Sequence, residues 1–416
     1  MSLNFGFRPE FGAPEIPLLS HSLGDATHTL WRTIRMVDAV VSAIFFYGSL
    51  RDHELLEIVL GRRVDPSHLE PARADEFATL RLATEVYPML IPAADRQADG
   101  VVVRHITEVD IARLAFFEEA EYDLAPITIT CASGQCEAHY FRATSKPAGS
   151  TEYWDFAAWR RDHRGVAIEA TREYMHHFGR LPVEAVDTIW PGIKIRAYQH
   201  ALAMVSAPKL GTLRTEFGTG DVDQHSLTRS YTGFLAVQEL KLRHRRFDGS
   251  WTGSLDRTVV AWGDAVSVLP YDPGRDRVLL IEQFRPAPAA RGDRNPWCIE
   301  AIAGRLDTGE TPERTARREA TEEAGLTLGR IVEIAAYYPS PGLACEHITA
   351  FVGEADLADA GGLHGLADEG EDIRTIVLGV DEAMAAIHSG AVNSGNALVS
   401  LLWLAVNRQR LRDKWL

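Results

Sequence analysis

The stretch that most constrains this chain is Gly304 to Leu326, GRLDTGETPERTARREATEEAGL. Thr311 suits an N-cap, Pro312 the first helical position and Gly325 a stop, which predicts a helix over 312–324. Glu319, Glu322 and Glu323 then stand at i, i+3 and i+4, on one helical face. Like charges this close repel, and a hard cation such as Mg²⁺ relieves the repulsion by accepting carboxylate oxygens together with the phosphate oxygens of a substrate. Gly304, after the strand-like WCIEAIAG, predicts a sharp turn that exposes the Ala303 carbonyl to the same metal. Ala316 and Ala320 face the other way and permit close packing. A solvated surface helix also contains runs like REATEE. The wider spacing of Gly304, Glu310, Arg318 and Gly325 is what favours a metal-binding helix.

At 416 residues the chain is too long for one typical domain. Its apolar share of 46% leaves ample material for a core, and its formal charge of −15 argues against a nucleic-acid-binding surface. Apolar runs are strand-sized and nothing reads as a signal peptide or membrane span, so a cytoplasmic protein is expected. Cys131 and Cys136 flank a turn in ITITCASGQCEAHYF, and with Cys298 and Cys345 they are expected as free thiols, since one lone pair without clustered histidines makes a poor metal site.

In chain order, residues 1–38 read as an arm with a short helix near 26–36. A domain over 39–150 opens with an apolar run, a Tyr-Gly-Ser-Leu turn at Tyr47–Leu50 and a helix closed by Gly61. A second helix is expected from Glu108 to Tyr122, leading into the cysteine hairpin. Residues 151–207 read as a helical connector, broken near Gly165 and ended at Gly179. Residues 208–416 form the last domain. There GTGDVDQHS reads as linker, TVVAWGDAVSVLPYD and RVLLIEQFRP as strands, APAARGDRN as an irregular loop, and the C-terminal stretch as a helix packed on a sheet. Strands, one acidic helix, more strands and a final helix describe an αβα sandwich, and the chain as a whole is α+β. The glycine-rich acidic stretch AGGLHGLADEGED is a loop of the kind that carries catalytic groups.

The pattern in 304–326 resembles the Nudix box, and the chain is similar to the Nudix hydrolases. Outside the box, RHRRFDGSW, LPYDP, IEQFRP, the SPG turn followed by Glu346, and GLADEGEDIR resemble the ADP-ribose pyrophosphatases, and the two-domain arrangement resembles the TrgB-type Nudix proteins associated with tellurite resistance. The resemblance implies hydrolysis of a nucleoside diphosphate sugar, ADP-ribose, to AMP and ribose 5-phosphate. It implies Mg²⁺ or Mn²⁺ held by the Ala303 carbonyl, Glu319, Glu323 and Glu371, with Glu369 as the base on the loop and Glu322 assisting. Arg257, Arg285, Ser340 and Glu346 are implied as substrate contacts, although Thr258 stands where the family often has glutamate after Arg257. It also implies a homodimer whose N-terminal strands reach the partner's site. Other diphosphate sugars, or ADP-ribose sensing without catalysis, stay open as alternatives.

FFYGSL and FFEEAEY resemble the gamma-glutamylcyclotransferase-like fold, a small β-barrel with helices. That resemblance implies Glu118 as a proton-moving residue, with Glu119 standing where the family prefers glycine and Ala115 replacing its usual aspartate.

Overall fold

The structure is a computed structural model that describes residues 41–82, 86–118, 122–144, 152–205, 213, 215–366 and 370–416. The expected arm, with its short helix, lies outside the described residues. Two compact units are present, one of described residues up to Arg161 together with Met175–Val183, the other of Asp162–Tyr174 together with Glu184–Leu416.

The first unit is built on β1 (Ala43–Phe46), α1 (His53–Leu60), β2 (Leu69–Arg81), β3 (Pro88–Arg104), α2 (Glu108–Glu118), β4 (Tyr122–Cys131), β5 (Gly134–Ala143) and α3 (Phe156–Asp162). The strands close into a barrel in the order β1-β3-β2-β4-β5, with β1 parallel to β5 at the seam. Phe45, Tyr47, Val102, Ile127, Ile129 and Tyr140 fill its interior. Asp52 caps α1 by accepting from the Leu55 N–H, and Gly61 ends it at φ 67°. All four cysteines are free thiols. This is the small barrel with helices anticipated from FFYGSL and FFEEAEY.

The chain continues through α4 (Arg164–His176) and α5 (Val183–Val205). The break before α4 falls at His163, and Gly165 lies inside the helix rather than ending one. The second unit then adds β6 (Val222–Thr232), β7 (Ala236–His244), β8 (Leu255–Ala261), β9 (Ala265–Asp272), β10 (Arg277–Phe284), α6 (Pro286–Arg291), β11 (Trp297–Glu300), β12 (Ile302–Arg305), α7 (Pro312–Ala324), β13 (Ile331–Tyr337), β14 (Ile348–Glu354), β15 (Gly362–His364), β16 (Ile373–Gly379), α8 (Val380–Ser389) and α9 (Gly395–Trp415). Three sequence expectations need correction here. The linker-like GTGDVDQHS runs into strand β6, TVVAWGDAVSVLPYD is two strands parted at Gly263 (φ 127°), and the supposed loop after β10 contains helix α6.

An eight-stranded mixed sheet runs β13-β14-β9-β10-β16-β15, with β11 on β10 and β12 on β9. Alternate residues of β9 and β10 serve two cores, as the period of a strand requires. Val266, Val268, Leu279 and Ile281 meet Ala316, Ala320 and Ala324 of α7. Leu269, Tyr271, Val278 and Leu280 meet Val380 and Ala383 of α8 and Ala397, Leu401 and Leu404 of α9. The result is a sheet with helices on both faces. A separate three-stranded sheet, β6-β7-β8, buries only Ala236 and Ala261 among the residues of its strands. No helix among the described residues is long and apolar enough to cross a membrane.

Candidate active site

Helix α7 forms where the sequence places it. The Thr311 hydroxyl accepts from the Arg314 N–H at 3.4 Å, Pro312 opens the first turn, and Gly325 closes the helix at φ 65°. The three alanines pressed on the sheet bring the neighbouring Glu319 and Glu323 under the protein surface, and both are buried. Gly304 serves differently from the expected turn. It sits in β12 opposite Val266, and a Cβ there would lie 1.8 Å from Glu319 Oε1. The position is glycine because a carboxylate stands against the backbone, not because the chain turns.

The carboxylates carry the mark of that burial. Burial pushes the Glu319 carboxyl up to about 7, with Glu322 and Glu371 adding to the rise and Arg318 opposing it. Glu323 is pushed further, to about 9, by burial and then by Glu319 and Glu371, while the Ala303 N–H, donating to its Oε2 at 3.2 Å, and Arg285 hold it down. Glu371 reaches this cluster from the approach to β16. Its Oε2 accepts from the Leu366 N–H at 3.3 Å, and Gly365, at φ 101°, has no room for a Cβ beside it. Of the four groups anticipated as metal ligands, Ala303, Glu319, Glu323 and Glu371, the structure thus brings all into one neighbourhood. Glu369 lies outside the described residues.

Arg318 is the counter-charge. Its Nη1 donates to Glu319 Oε1 and Glu322 Oε2, each at 2.8 Å, and its Nη2 to Glu310 Oε2 at 3.2 Å and the Arg305 carbonyl at 3.3 Å. Burial disfavours its charge, but Glu319 and the bonds to Glu310 and Glu322 raise its pKa on balance. Among the described residues no three carboxylates, imidazoles or thiols form a finished ligand set. The donor chemistry nevertheless fits a hard divalent cation: buried carboxylate oxygens, mutually repelling, beside a backbone left bare by glycine.

The expected substrate residues divide into two groups. Arg285 lies near both Glu323 and Glu346. Arg285 is paired to the buried Glu300, donating from Nε to Oε2 at 2.8 Å, and its charge is felt by both Glu323 and Glu346. Burial and then Asp264 push Glu346 up to about 7, against Arg285 and a hydrogen bond from the Trp262 side chain. Ser340 heads the tight turn before Glu346, its carbonyl accepting from the Leu343 and Ala344 N–H groups at 2.9 Å. Arg257 stands apart, on an exposed stretch of β8, where its Nη1 donates to the Asp256 carbonyl.

Glu300, Asp264 and Gln199 escape a reading from sequence. The only signal for Glu300 is one acid in the apolar run WCIEAIAG.

In the first unit, the Tyr47 hydroxyl of the glycine turn donates to the Phe141 carbonyl at 3.0 Å. Burial raises its pKa, and Glu118 is the next largest cause. The turn and Glu118 are therefore neighbours.

Comparison with known proteins follows the same division. A family profile described as NUDIX domain matches residues 261–394, and one described as Gamma-glutamyl cyclotransferase, AIG2-like, matches residues 44–161. The chain is 38% identical over 207 residues to ADP-ribose pyrophosphatase of Escherichia coli (strain K12), covering 50% of this chain and 99% of that protein. It is 36% identical over 201 residues to ADP-ribose pyrophosphatase of Haemophilus influenzae, 48% of this chain and 93% of the relative. GDP-mannose pyrophosphatase of Enterobacter sp. (strain 638) is 34% identical over 154 residues, 36% of this chain and 78% of the relative. A buried carboxylate helix on a two-faced sheet, the domain match over it and relatives covered almost end to end agree: this chain belongs to the Nudix hydrolase family, with a gamma-glutamylcyclotransferase-like domain ahead of its Nudix domain.

Proposed function

We propose that the second unit hydrolyses the diphosphate of ADP-ribose to AMP and ribose 5-phosphate, with Mg²⁺ as cofactor. The observation that carries this reading is the cluster of the buried Glu319 and Glu323 with the half-buried Glu371, in a chain covering 99% of a relative named ADP-ribose pyrophosphatase. Glu319, Glu323, Glu371 and the Ala303 carbonyl would hold the metal, and Mn²⁺ suits the same oxygens. Bound there, a divalent cation supplies charge neutralisation at the diphosphate and acidifies water.

The chain's own groups do the rest. Arg285 offers planar guanidinium donors that match phosphate oxygens, and Glu300 holds the guanidinium in place through Nε and Nη2, leaving Nη1 foremost for the substrate. Glu346, which shares the influence of Arg285 with Glu323, and Ser340 before it take hydrogen bonds from the sugar or base. Glu369, two residues before Glu371, is the base that orients and deprotonates water; Glu322 keeps Arg318 on the cluster's edge. Arg257 belongs to the site of a second copy: the β6-β7-β8 sheet that carries it leaves Tyr231 56% exposed and Val222 49% exposed, a surface that a homodimer would cover. For the first unit, the neighbourhood of Glu118 and Tyr47 supports proton transfer on a small carboxylate-bearing substrate, which an assay with gamma-glutamyl dipeptides tests.

A second reading is hydrolysis of GDP-mannose, favoured by the 34% identity to a GDP-mannose pyrophosphatase. Release of AMP from ADP-ribose against release of GMP from GDP-mannose, each with Mg²⁺, separates the two. Faster turnover of ADP-ribose supports the first, and turnover of GDP-mannose alone replaces it with the second.

A further inference from the structure

Helix α5 lies upstream of the matched Nudix span, yet it is bonded to that domain at both ends of the site. The Tyr198 hydroxyl donates to the Glu310 carbonyl at 3.1 Å, just before α7 begins. At the next residue, the Gln199 side-chain nitrogen donates twice, to Asp264 Oδ1 at 2.9 Å and to the Cys345 carbonyl at 2.8 Å. Only the amide nitrogen can meet two acceptors, so the orientation of the amide is fixed by its partners. The same Asp264 Oδ1 accepts from the His347 N–H at 3.2 Å. Cys345 and His347 are the residues on either side of Glu346. The helix itself is anchored nearby, where the buried guanidinium of Arg196 donates from Nε to Glu173 at 3.0 Å and Arg229 approaches the same carboxylate at 3.2 Å.

We propose that Gln199 is a positioning residue for the Nudix reaction: together with Asp264 it clamps the backbone on both sides of Glu346 and so fixes where that carboxyl stands in the substrate pocket. This rests on the reading of Glu346 as a substrate-pocket group. The physical ground is the cost of an alternative arrangement. Gln199 is 9% exposed and its two acceptor residues are half-buried, so losing the amide takes a donor from a carboxylate oxygen and a carbonyl, and the segment shifts to satisfy them. The upstream helix is thereby part of the hydrolytic site, and its role is separate from that of the carboxylates of α7.

The test uses the full chain with Gln199→Leu, Glu346→Gln and the double variant, measured for turnover of ADP-ribose, for activation by Mg²⁺ and for amide hydrogen exchange by mass spectrometry. Gln199→Leu is expected to raise KM for ADP-ribose about tenfold, the size of losing a buried hydrogen-bonded pair. The Mg²⁺ activation curve is expected to stay in place. In the Glu346→Gln background the same change adds no further rise, because both act through one carboxyl. Exchange speeds up in peptides containing His347 and not in those of α7. Gln199→Asn, whose amide is on a shorter stem, shows the same pattern at smaller size and serves if the leucine variant does not fold. An unchanged KM, or an equal KM rise with and without Glu346, overturns the proposal. If the parent chain does not turn over ADP-ribose, the ADP-ribose reading has failed by itself, and exchange at His347 still decides: unaltered exchange overturns the clamp, faster exchange sustains it.

Discussion

Glu319 and Glu323 sit where their charge is resisted, and this has a measurable consequence for the metal-free protein. Their folded pKa values, about 7 and about 9, lie above the value near 4.3 that a glutamate has when unfolded. Between those limits the folded state holds protons that the unfolded state has released, so stability falls as pH rises from about 4.5 towards 9. Without divalent metal, the thermal midpoint should therefore drop from pH 6 to pH 8.5, and Glu323→Gln should flatten that drop while removing activity. Added Mg²⁺ should stabilise more at pH 8.5 than at pH 6, since binding must displace the protons. Scanning fluorimetry at the two pH values checks this, and a pH-independent midpoint in the parent chain would argue against a charge-resisting cluster. The two glutamates were readable in the sequence because helical spacing ties them together. Glu300, Asp264 and Gln199 were not, because each is a single polar residue whose partner is remote in sequence, and no period announces such a pair.

Among the elements, α7 is the most legible and the most exacting. Its cap, first-turn proline and terminal glycine obey local rules, so its bounds follow from the chain alone. Thr311→Ala should cost about 1 kcal/mol of stability with little loss of turnover at saturating metal, since it removes one cap bond at the exposed end. Gly304→Ala should do the reverse in kind, because a Cβ 1.8 Å from Glu319 Oε1 must displace that carboxylate. Activity should fall by at least about a hundredfold, the scale expected for a displaced metal ligand, in a chain that still folds. Circular dichroism with an activity assay distinguishes the two variants. The role of Gly304 was half legible: glycine there was noticeable, but a turn and a close approach look alike until the partner is known. Strand β6 is hidden in the sequence for a different reason. Its residues are exposed or half-buried throughout, so they lack the alternation by which a strand is recognised.

At the scale of the molecule, the barrel and the sheet-centred unit each have a core of their own, and each matches a separate family profile. The class of each was legible from short motifs, FFYGSL and the box, whereas the long barrel strands β2 and β3 carry bulges and polar stretches that hide them. The β6-β7-β8 sheet, with almost nothing buried, predicts a second copy against it. Light scattering on the purified chain should give about twice the 46.0 kDa of one chain, and Arg257→Ala should then lower activity in the dimer; a monomer at micromolar concentration would remove Arg257 from the site. The most direct test of the whole account is release of AMP from ADP-ribose with Mg²⁺, comparing the parent chain with Glu323→Gln and Glu369→Gln. The account predicts turnover by the parent and its loss, by at least about a hundredfold, in both variants. A parent chain that binds ADP-ribose without cleaving it, or variants that retain full turnover, would contradict it.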